Sequence, residues 1–260
     1  MTGDALVTRR EHGSIIELQL DRKPVNALSR AACVEWRAAL LDAVAGGAEA
    51  IVLSGPNGVF SGGADLVELA NADRETFADV CRQLGGLAAE VARCPVPIAA
   101  ALTGHCLGGA SAVALQCDVR LMASGPYRFR INYVAMGLVP PPFVTRALER
   151  LVGRGHATRL LVGAVPLAPD EARTLGIVER VSEVGEVVGT AVDWCQQILS
   201  LPRSAMLETR RRVREDLVAC VAAPENVGIE ELTERWFGVE VQSRLAKLVR
   251  SQGQPLVRGA

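Results

Sequence analysis

The sequence predicts an α/β protein with a helical C-terminal part. Short apolar strands alternate with amphipathic stretches up to about residue 183, and helical periodicity dominates afterwards. Two glycine-rich turns, at Gly62-Gly63 and Gly108-Gly109, each follow a predicted strand and open a helix. Hydrophobic residues make up 49% and charged residues 22% of the 260 residues, a balance typical of a globular chain with a full core.

Alternating apolar residues and a helix-capping serine predict the first strands and the first helix. Ile16, Leu18 and Leu20 alternate with polar residues, as one buried sheet face requires. Ser29 is a typical N-cap residue ahead of an amphipathic stretch that Gly46 ends. The predicted elements are strands at Ala5–Arg10 and Ser14–Leu20, a helix from Ser29 to Val44, a strand at Ala50–Ser54, a loop at Phe60–Asp65 and a helix at Arg74–Ala92.

The stretch from Cys94 to Cys117 has no Asp, Glu, Lys or Arg. Its prolines and glycines favour a buried strand turning into a buried helix over a membrane span. The elements predicted from here on are strands at Pro97–Leu102, Val119–Ala123, Tyr127–Ile131 and Ile177–Val181, a helix that follows Gly109 and ends before Cys117, and helices after Pro142, among them Leu201–Val221 and Glu225–Val249.

The net charge and the cysteine pattern argue against several classes of protein. Lys and Arg number 28 against 29 Asp and Glu, so the net charge of −1 argues against a general nucleic-acid binder. The basic cluster Arg203, Arg210–Arg212 and Arg214 is predicted to be a solvated helix face rather than a phosphate site. Seven cysteines without a C-x-x-C pair indicate a reduced, cytoplasmic protein without a metal site, and the N-terminus shows no secretory signal.

The two glycine turns suggest a chemistry. Unpaired N–H groups at a helix start point outward and carry partial positive charge. Two such sites brought together form a donor pair for an oxygen that becomes negative. A phosphate-binding P-loop is excluded because the Gly-Lys-Ser/Thr element is missing, and a G-x-G-x-x-G fingerprint is missing too.

Six ordered motifs extend this interpretation: D-R-K-P-V-N-A-L (21–28), F-S-G-G-A-D-L (60–66), P-V-P-I-A-A-A-L-T-G-H-C-L-G-G (95–109), C-D (117–118), M-G-L-V-P (136–140) and A-x-x-L-G-I-V (172–178). Together they resemble the crotonase superfamily, the enoyl-CoA hydratase/isomerase proteins. The resemblance implies a spiral of ββα units over residues 1–200 and a helical trimerisation region over 201–260. It also implies a homotrimer or dimer of trimers.

The ligand that the resemblance implies is an acyl-CoA thioester, with no further cofactor. The amides of Ala64 and Gly109 would hold the thioester oxygen. The segment Arg22–Val25 would lie near the nucleotide end of CoA, where Arg22 or Lys23 would contact a phosphate. Asp118 would be a buried structural acid. The CoA-binding residues expected in this way are Arg22, Lys23, Val25, Ala64, Asp65, Leu66, Val67 and Gly109.

The chain departs from the family where hydratases carry two glutamates: these positions are Ala112 and Tyr133. Hydration needs a base and an acid, so efficient hydration is not expected. The retained oxyanion donors favour decarboxylation of a malonyl-type thioester, or isomerisation if Glu68 reaches the pocket. Tyr133 is a candidate donor or gate, or else apolar filler, and His105 is expected to be a satisfied buried histidine.

The stretch 132–143 resembles mitochondrial-type Δ3,Δ2-enoyl-CoA isomerases, which keep one glutamate where this chain has Tyr133. An isomerase- or decarboxylase-like enzyme of acyl-CoA and fatty acid metabolism is therefore the leading hypothesis. A non-catalytic acyl-CoA-binding homologue is the alternative, and an oligomeric scaffold that binds nothing is a third. Apolar residues at helical spacing in the C-terminal part, including Leu232, Trp236 and Val239, support an oligomer.

Overall fold

The computed structural model describes residues 5–223 and 227–251, and in these residues the strands form two sheets. The larger sheet has the order β1-β2-β3-β5-β7-β9 and the smaller one the order β4-β6-β8. All pairings are parallel except that of β1 with β2. The strands are β1 (Val7–His12), β2 (Ile15–Leu20), β3 (Ala50–Ser54), β4 (Gly58–Ser61), β5 (Ile98–Leu102), β6 (Gly104–Leu107), β7 (Val119–Ala123), β8 (Phe129–Arg130) and β9 (Arg180–Ser182).

The helices lie between and after these strands. They are α1 (Arg30–Ala45), α2 (Leu66–Ala70), α3 (Arg74–Arg93), α4 (Gly109–Ala114), α5 (Pro142–Val162), α6 (Pro169–Thr174), α7 (Val187–Leu199), α8 (Arg203–Val213), α9 (Glu215–Ala222), α10 (Ile229–Trp236) and α11 (Val239–Ser251), with a 3₁₀ turn at Val134–Met136. The predicted α/β class is confirmed.

The chain repeats a unit of two strands and a helix, and the repeat positions the glycine turns. In successive units the first strand (β3, β5, β7) joins the large sheet and the second (β4, β6, β8) joins the small one. All residues of β3, β5 and β7 are buried, as expected for parallel strands covered on both faces. Because β4 and β6 pair in parallel, with Ser61 opposite Cys106, the turns that follow them lie side by side.

Several predicted elements have their expected bounds and others do not. The Ser29 hydroxyl accepts from the Ala32 amide at 3.1 Å and caps α1 as predicted. The segment that forms β6 was assigned to no strand, but it pairs with β4 and β8. The last strand lies at Arg180–Ser182 instead of Ile177–Val181. Ile177 was included in the predicted strand because it is apolar. It is buried beside α6 instead, where its amide donates to the Ala172 carbonyl.

The C-terminal helices pack back on the same chain. Leu217 of α9 joins the main core. Trp236 of α10 stacks on Phe77 of α3, with ring centroids 4.9 Å apart. Val239, predicted as part of this apolar stripe, is 87% exposed. The ends of the two predicted regions (residues 1–4 and 252–260) and Glu225, at the start of the last predicted helix, lie outside the described residues.

The prediction that the basic cluster is a solvated helix face is wrong for two of its arginines. Arg210 and Arg214 do not form a solvated face: their guanidinium groups bond the two carboxylate oxygens of Asp118 at 2.8 and 2.7 Å. Asp118 also accepts from the Ile98 amide, so it ties α8 and α9 to the large sheet. A carboxylate withdrawn from water needs such partners, which explains why these arginines point inward. The other members of the cluster are exposed: Arg203 pairs with Glu49, and Arg211 and Arg212 both pair with Glu208.

Six of the seven cysteines, Cys33, Cys81, Cys94, Cys106, Cys117 and Cys195, are free thiols. Five of them are buried, where a thiol packs as a small apolar group. Within the described part of the chain, no helix combines the length and apolar character needed to cross a bilayer.

Candidate active site

The first glycine turn joins β4 to α2. The Leu28 amide donates to the Gly63 carbonyl at 2.8 Å, and the Asp65 amide donates to the Leu28 carbonyl at 3.2 Å. These two bonds hold the backbone on either side of Ala64 and leave the Ala64 amide facing away from Leu28. Gly63 has φ +91°, and a Cβ there would lie 2.5 Å from the Leu107 carbonyl oxygen. Glycine is therefore required for the turn to approach β6 this closely.

The second glycine turn joins β6 to α4. The Gly108 amide donates to the Arg130 carbonyl at 2.8 Å, which fixes the turn to the end of β8. Gly108 has φ +55°, a left-handed conformation that favours glycine. Gly109 is the first residue of α4, so its amide has no partner within the helix.

The two turns converge on one cavity of about 120 Å³, which Ala64 and Gly109 both line. A Cβ built on Gly109 would lie 3.5 Å from the Ala64 nitrogen, and one built on Gly63 would lie 3.2 Å from the Gly109 nitrogen. Among residues 5–223 and 227–251, neither amide donates a hydrogen bond. Two free N–H donors at the wall of a small cavity are suited to hold one oxygen atom.

The cavity wall is almost entirely apolar. It comes from both glycine turns, from α2 and α3, from the segment 132–143 and from the C-terminal part around α10. In the described part of the chain, no Asp, Glu, His, Lys or Arg lines it. The lining residues are Gly62, Ala64, Leu66, Leu69, Phe77, Val80, Cys81, Leu84, Gly85, Gly108, Gly109, Asn132, Tyr133, Met136, Leu138, Pro141, Phe143, Val227, Leu232 and Trp236.

Tyr133 is the predicted site residue that lines the cavity and carries a side-chain hydroxyl. Its carbonyl accepts from the Met136 and Leu138 amides, which fixes the residue at the start of the 3₁₀ turn. Burial, with a smaller contribution from the Cys81 thiol, raises the pKa of the phenol well above its usual range. The phenol therefore stays protonated at neutral pH and serves as a hydrogen-bond donor rather than a base.

Ala112, at the other position of a family glutamate, and the candidate groups Glu68 and His105 do not line the cavity. Ala112 is fully buried in α4, inside the core. The Glu68 carboxylate accepts from the Arg30 amide at 2.9 Å and so caps the start of α1. His105 accepts from the Arg128 amide through Nδ1 and packs against Tyr127, but it is half-buried rather than buried as expected. The structure thus brings Ala64, Gly109 and Tyr133 together without a carboxylate.

The segments expected to contact CoA lie at the first glycine turn, which lines the cavity. A Cβ on Gly62 would lie 3.3 Å from the Val25 Cβ, so the segment 22–25 packs on the first glycine turn. Val25, Leu66 and Val67 are 53%, 37% and 58% exposed, so each presents an apolar side chain to solvent. Arg22 pairs with Asp65 at 2.6 Å, and the Asp65 carboxylate also caps α2. Lys23 is exposed.

Sequence reasoning missed the residues that close the cavity. Phe77, Cys81 and Trp236 come from helices far apart in the sequence, and an apolar helix face does not indicate which cavity it will cover. Asn132 was also missed. Its signal in the sequence is its position, because it is a polar residue directly before Tyr133, which stands where the family carries a glutamate.

Comparison with known proteins is consistent with this geometry. Residues 10–227 match the family model described as enoyl-CoA hydratase/isomerase. Human "Enoyl-CoA delta isomerase 1, mitochondrial" is 30% identical over 64% of this chain and 55% of its own length. "Probable enoyl-CoA hydratase echA6" of Mycobacterium tuberculosis is 29% identical over 93% of this chain and 95% of its own length.

A solved structure has the same architecture. That of human mitochondrial delta3-delta2-enoyl-CoA isomerase aligns with a TM-score of 0.89 at 23% identity, over 95% of this chain and 98% of the other. This likeness confirms the predicted crotonase-like α/β fold.

Proposed function

Because the chain belongs to the enoyl-CoA hydratase/isomerase family, we propose that its cavity binds an acyl-CoA thioester and stabilises the thioester enolate. The observation that carries this proposal is the convergence of two free amides, those of Ala64 and Gly109, on one cavity wall. The thioester oxygen accepts from both amides, and the bonds strengthen as negative charge develops on it. One donor of this kind is worth about 3–4 kcal/mol of transition-state stabilisation.

The reaction that fits the cavity best is decarboxylation of a malonyl-type thioester. Hydration and isomerisation need a base, and the described cavity wall contains none. In decarboxylation the bond between the α-carbon and the carboxylate breaks, and its electron pair moves to the α-carbon and the thioester oxygen. CO₂ leaves, and the α-carbon then takes a proton from water. Isomerisation is less favoured because Glu68 is engaged at the start of α1.

Tyr133 acts in this reaction as a neutral hydrogen-bond donor. Its phenol keeps its proton because burial raises its pKa. A neutral donor orients the substrate carboxylate without cancelling its charge. A cation at this place would stabilise the reactant more than the transition state, in which the charge has moved to the thioester oxygen, and would slow the reaction.

The CoA part of the substrate runs along the exposed apolar surface of Val25, Leu66 and Val67. Lys23 contacts a phosphate more readily than Arg22, because the Arg22 guanidinium is already paired with Asp65. No cofactor other than the CoA of the substrate enters this scheme. Exchange of Lys23 for alanine is expected to weaken binding of CoA thioesters but not of the matching pantetheine thioesters.

The experiment that tests the proposal is turnover of a panel of malonyl-, methylmalonyl- and enoyl-CoA thioesters by the purified protein. The proposal expects release of CO₂ from a carboxylated thioester and little hydration of the enoyl substrates. Failure to process any carboxylated thioester would refute the decarboxylase assignment. Hydration or isomerisation of the enoyl substrates as the dominant activity would refute it as well.

A second candidate function is binding of acyl-CoA without turnover. The observation that favours it is the same apolar wall, which in the described residues offers no Asp, Glu, His, Lys or Arg for proton transfer. It predicts micromolar affinity by titration calorimetry with no product formed. Rapid turnover of any thioester would eliminate this candidate.

The assembly and location expected from the sequence are also proposals. We propose a homotrimer or dimer of trimers that uses the region 201–260. The exposure of Val239, which projects from the start of α11, supports a partner surface in this region. A monomeric mass in light scattering at micromolar concentration would refute it. Six free thiols support a reduced cytoplasmic location.

A further inference from the structure

Asn132 packs against the second glycine turn. It follows β8, whose Arg130 is paired with Leu107 of β6, so Asn132 stands beside the turn that begins after Leu107. The Asn132 Oδ1 atom is 2.6 Å from the point where a Cβ of Gly108 would sit. The side chain therefore packs directly on the Cα of Gly108, next to the Gly109 amide, in space that only a glycine at 108 leaves open.

The carboxamide of Asn132 is available for a ligand. It lines the cavity, and neither its oxygen nor its nitrogen bonds a group in the described ranges 5–223 and 227–251. A primary amide offers two donors and one acceptor, and rotation about its last bond presents either end to the cavity. Its neighbour Tyr133 adds a phenol to the same wall. The cavity thus holds two adjacent neutral donors close to the pair of backbone amides.

We propose that Asn132 is a specificity-determining residue that donates a hydrogen bond to the α-carboxylate of a malonyl-type thioester and so selects carboxylated over plain acyl-CoA. This inference rests on the proposed function. A carboxylate only accepts hydrogen bonds, and the described wall has no cation to pair with it, so neutral donors must satisfy it. With the thioester oxygen on the amides of Ala64 and Gly109, the α-substituent one carbon away falls beside Gly108, where Asn132 lies.

The bond holds the carboxylate in place without opposing the reaction. As the bond to the α-carbon breaks, the negative charge leaves the carboxylate for the thioester oxygen, and the departing CO₂ needs little from Asn132. Removing the carboxamide is therefore expected to weaken capture of the carboxylated substrate. A hydrogen bond to a charged group accounts for about a ten- to hundredfold change in affinity.

The test compares wild type with Asn132→Leu, which keeps the volume and loses the polar atoms, and with Asn132→Gln, which keeps a carboxamide. Binding of methylmalonyl-CoA and propionyl-CoA, which differ only in the carboxylate, is measured by calorimetry, or as KM and inhibition constant where turnover occurs. Asn132→Leu is expected to lose about ten- to hundredfold for methylmalonyl-CoA and less than twofold for propionyl-CoA, and Asn132→Gln is expected to lose less.

The outcomes separate this inference from the proposed function. If wild type binds neither thioester, the proposed function itself fails, and the inference fails with it. If wild type binds both and Asn132→Leu leaves the ratio of their affinities unchanged, the inference alone is overturned. Equal losses for the two ligands, with a normal thermal unfolding midpoint, would show a structural role for Asn132 and would likewise overturn it.

Discussion

Replacement of Gly109 by proline removes one of the two proposed oxyanion donors while leaving the fold able to form. Gly109 is the first residue of α4, a position where proline is well tolerated in helices. The loss of one such donor costs about 3–4 kcal/mol, or about 10²–10³-fold in kcat. Turnover of methylmalonyl-CoA by Gly109→Pro is expected to fall by this factor, measured as propionyl-CoA formed by chromatography.

A matched control separates the missing N–H from the added atoms. A Cβ at position 109 would lie 2.6 Å from the Leu84 Cδ1, so any larger residue displaces that side chain. The comparison is therefore made in a Leu84→Ala background, where Gly109→Ala adds the Cβ but keeps the amide. Gly109→Ala is expected to stay within about tenfold of its parent, the size of a modest packing change. Equal activities of Gly109→Ala and Gly109→Pro would refute the oxyanion role of this amide.

Three further predictions concern the wall and the core. Tyr133→Phe is expected to lower kcat/KM for a carboxylated thioester about 10–100-fold, the effect of a hydrogen bond to a charged group, and an unchanged value would contradict the donor role. Gly85→Leu is expected to weaken binding of butyryl-CoA more than acetyl-CoA in competition assays, because a Cβ there already lies 2.7 Å from the Val227 Cγ1 at the apolar wall. Burial raises the pKa of the Cys106 and Cys117 thiols to about 12, so folding favours their protonated forms. The free energy of unfolding is not reduced by these thiols below a pH of about 8.5, the thiol pKa in the unfolded chain. As the pH rises from there toward 12, each thiol lowers the free energy of unfolding by about 1.4 kcal/mol per pH unit. Urea unfolding between pH 8 and pH 10 measures this slope, and Cys117→Ala should reduce it by one thiol; an unchanged slope would contradict the assignment.

The parts of the fold that local patterns determine were predictable from the sequence. Strands β3 and β7 have their predicted bounds, and Ser29 caps α1, because each depends on residues adjacent in the chain. Strand β6 was not predicted, since its glycine-rich sequence becomes a strand only through pairing with β4 and β8. The inward orientation of the Arg210 side chain was not predicted either, because its partner Asp118 lies 92 residues earlier in the chain.

The candidate site divides in the same way. The two turns with Ala64 and Gly109 were recognised from their glycines, whose conformations the turns require. The wall was not predictable, because Phe77 and Trp236 meet only after α10 folds onto α3. The engagement of Glu68 at the start of α1 likewise depends on a contact between distant segments. These distant contacts explain why the sequence left open whether a carboxylate reaches the cavity.

The most direct test of the central claim is the carbonyl stretching band of a bound thioester. Butyryl-CoA labelled with ¹³C at the thioester carbonyl is added to the protein, and isotope-edited infrared difference spectra isolate that one bond. Two amide donors on the oxygen predict a shift to lower wavenumber in the wild type and a smaller shift in Gly109→Pro. A bound ligand whose band stays at its solution position would contradict the claim that the amides of Ala64 and Gly109 hold the carbonyl.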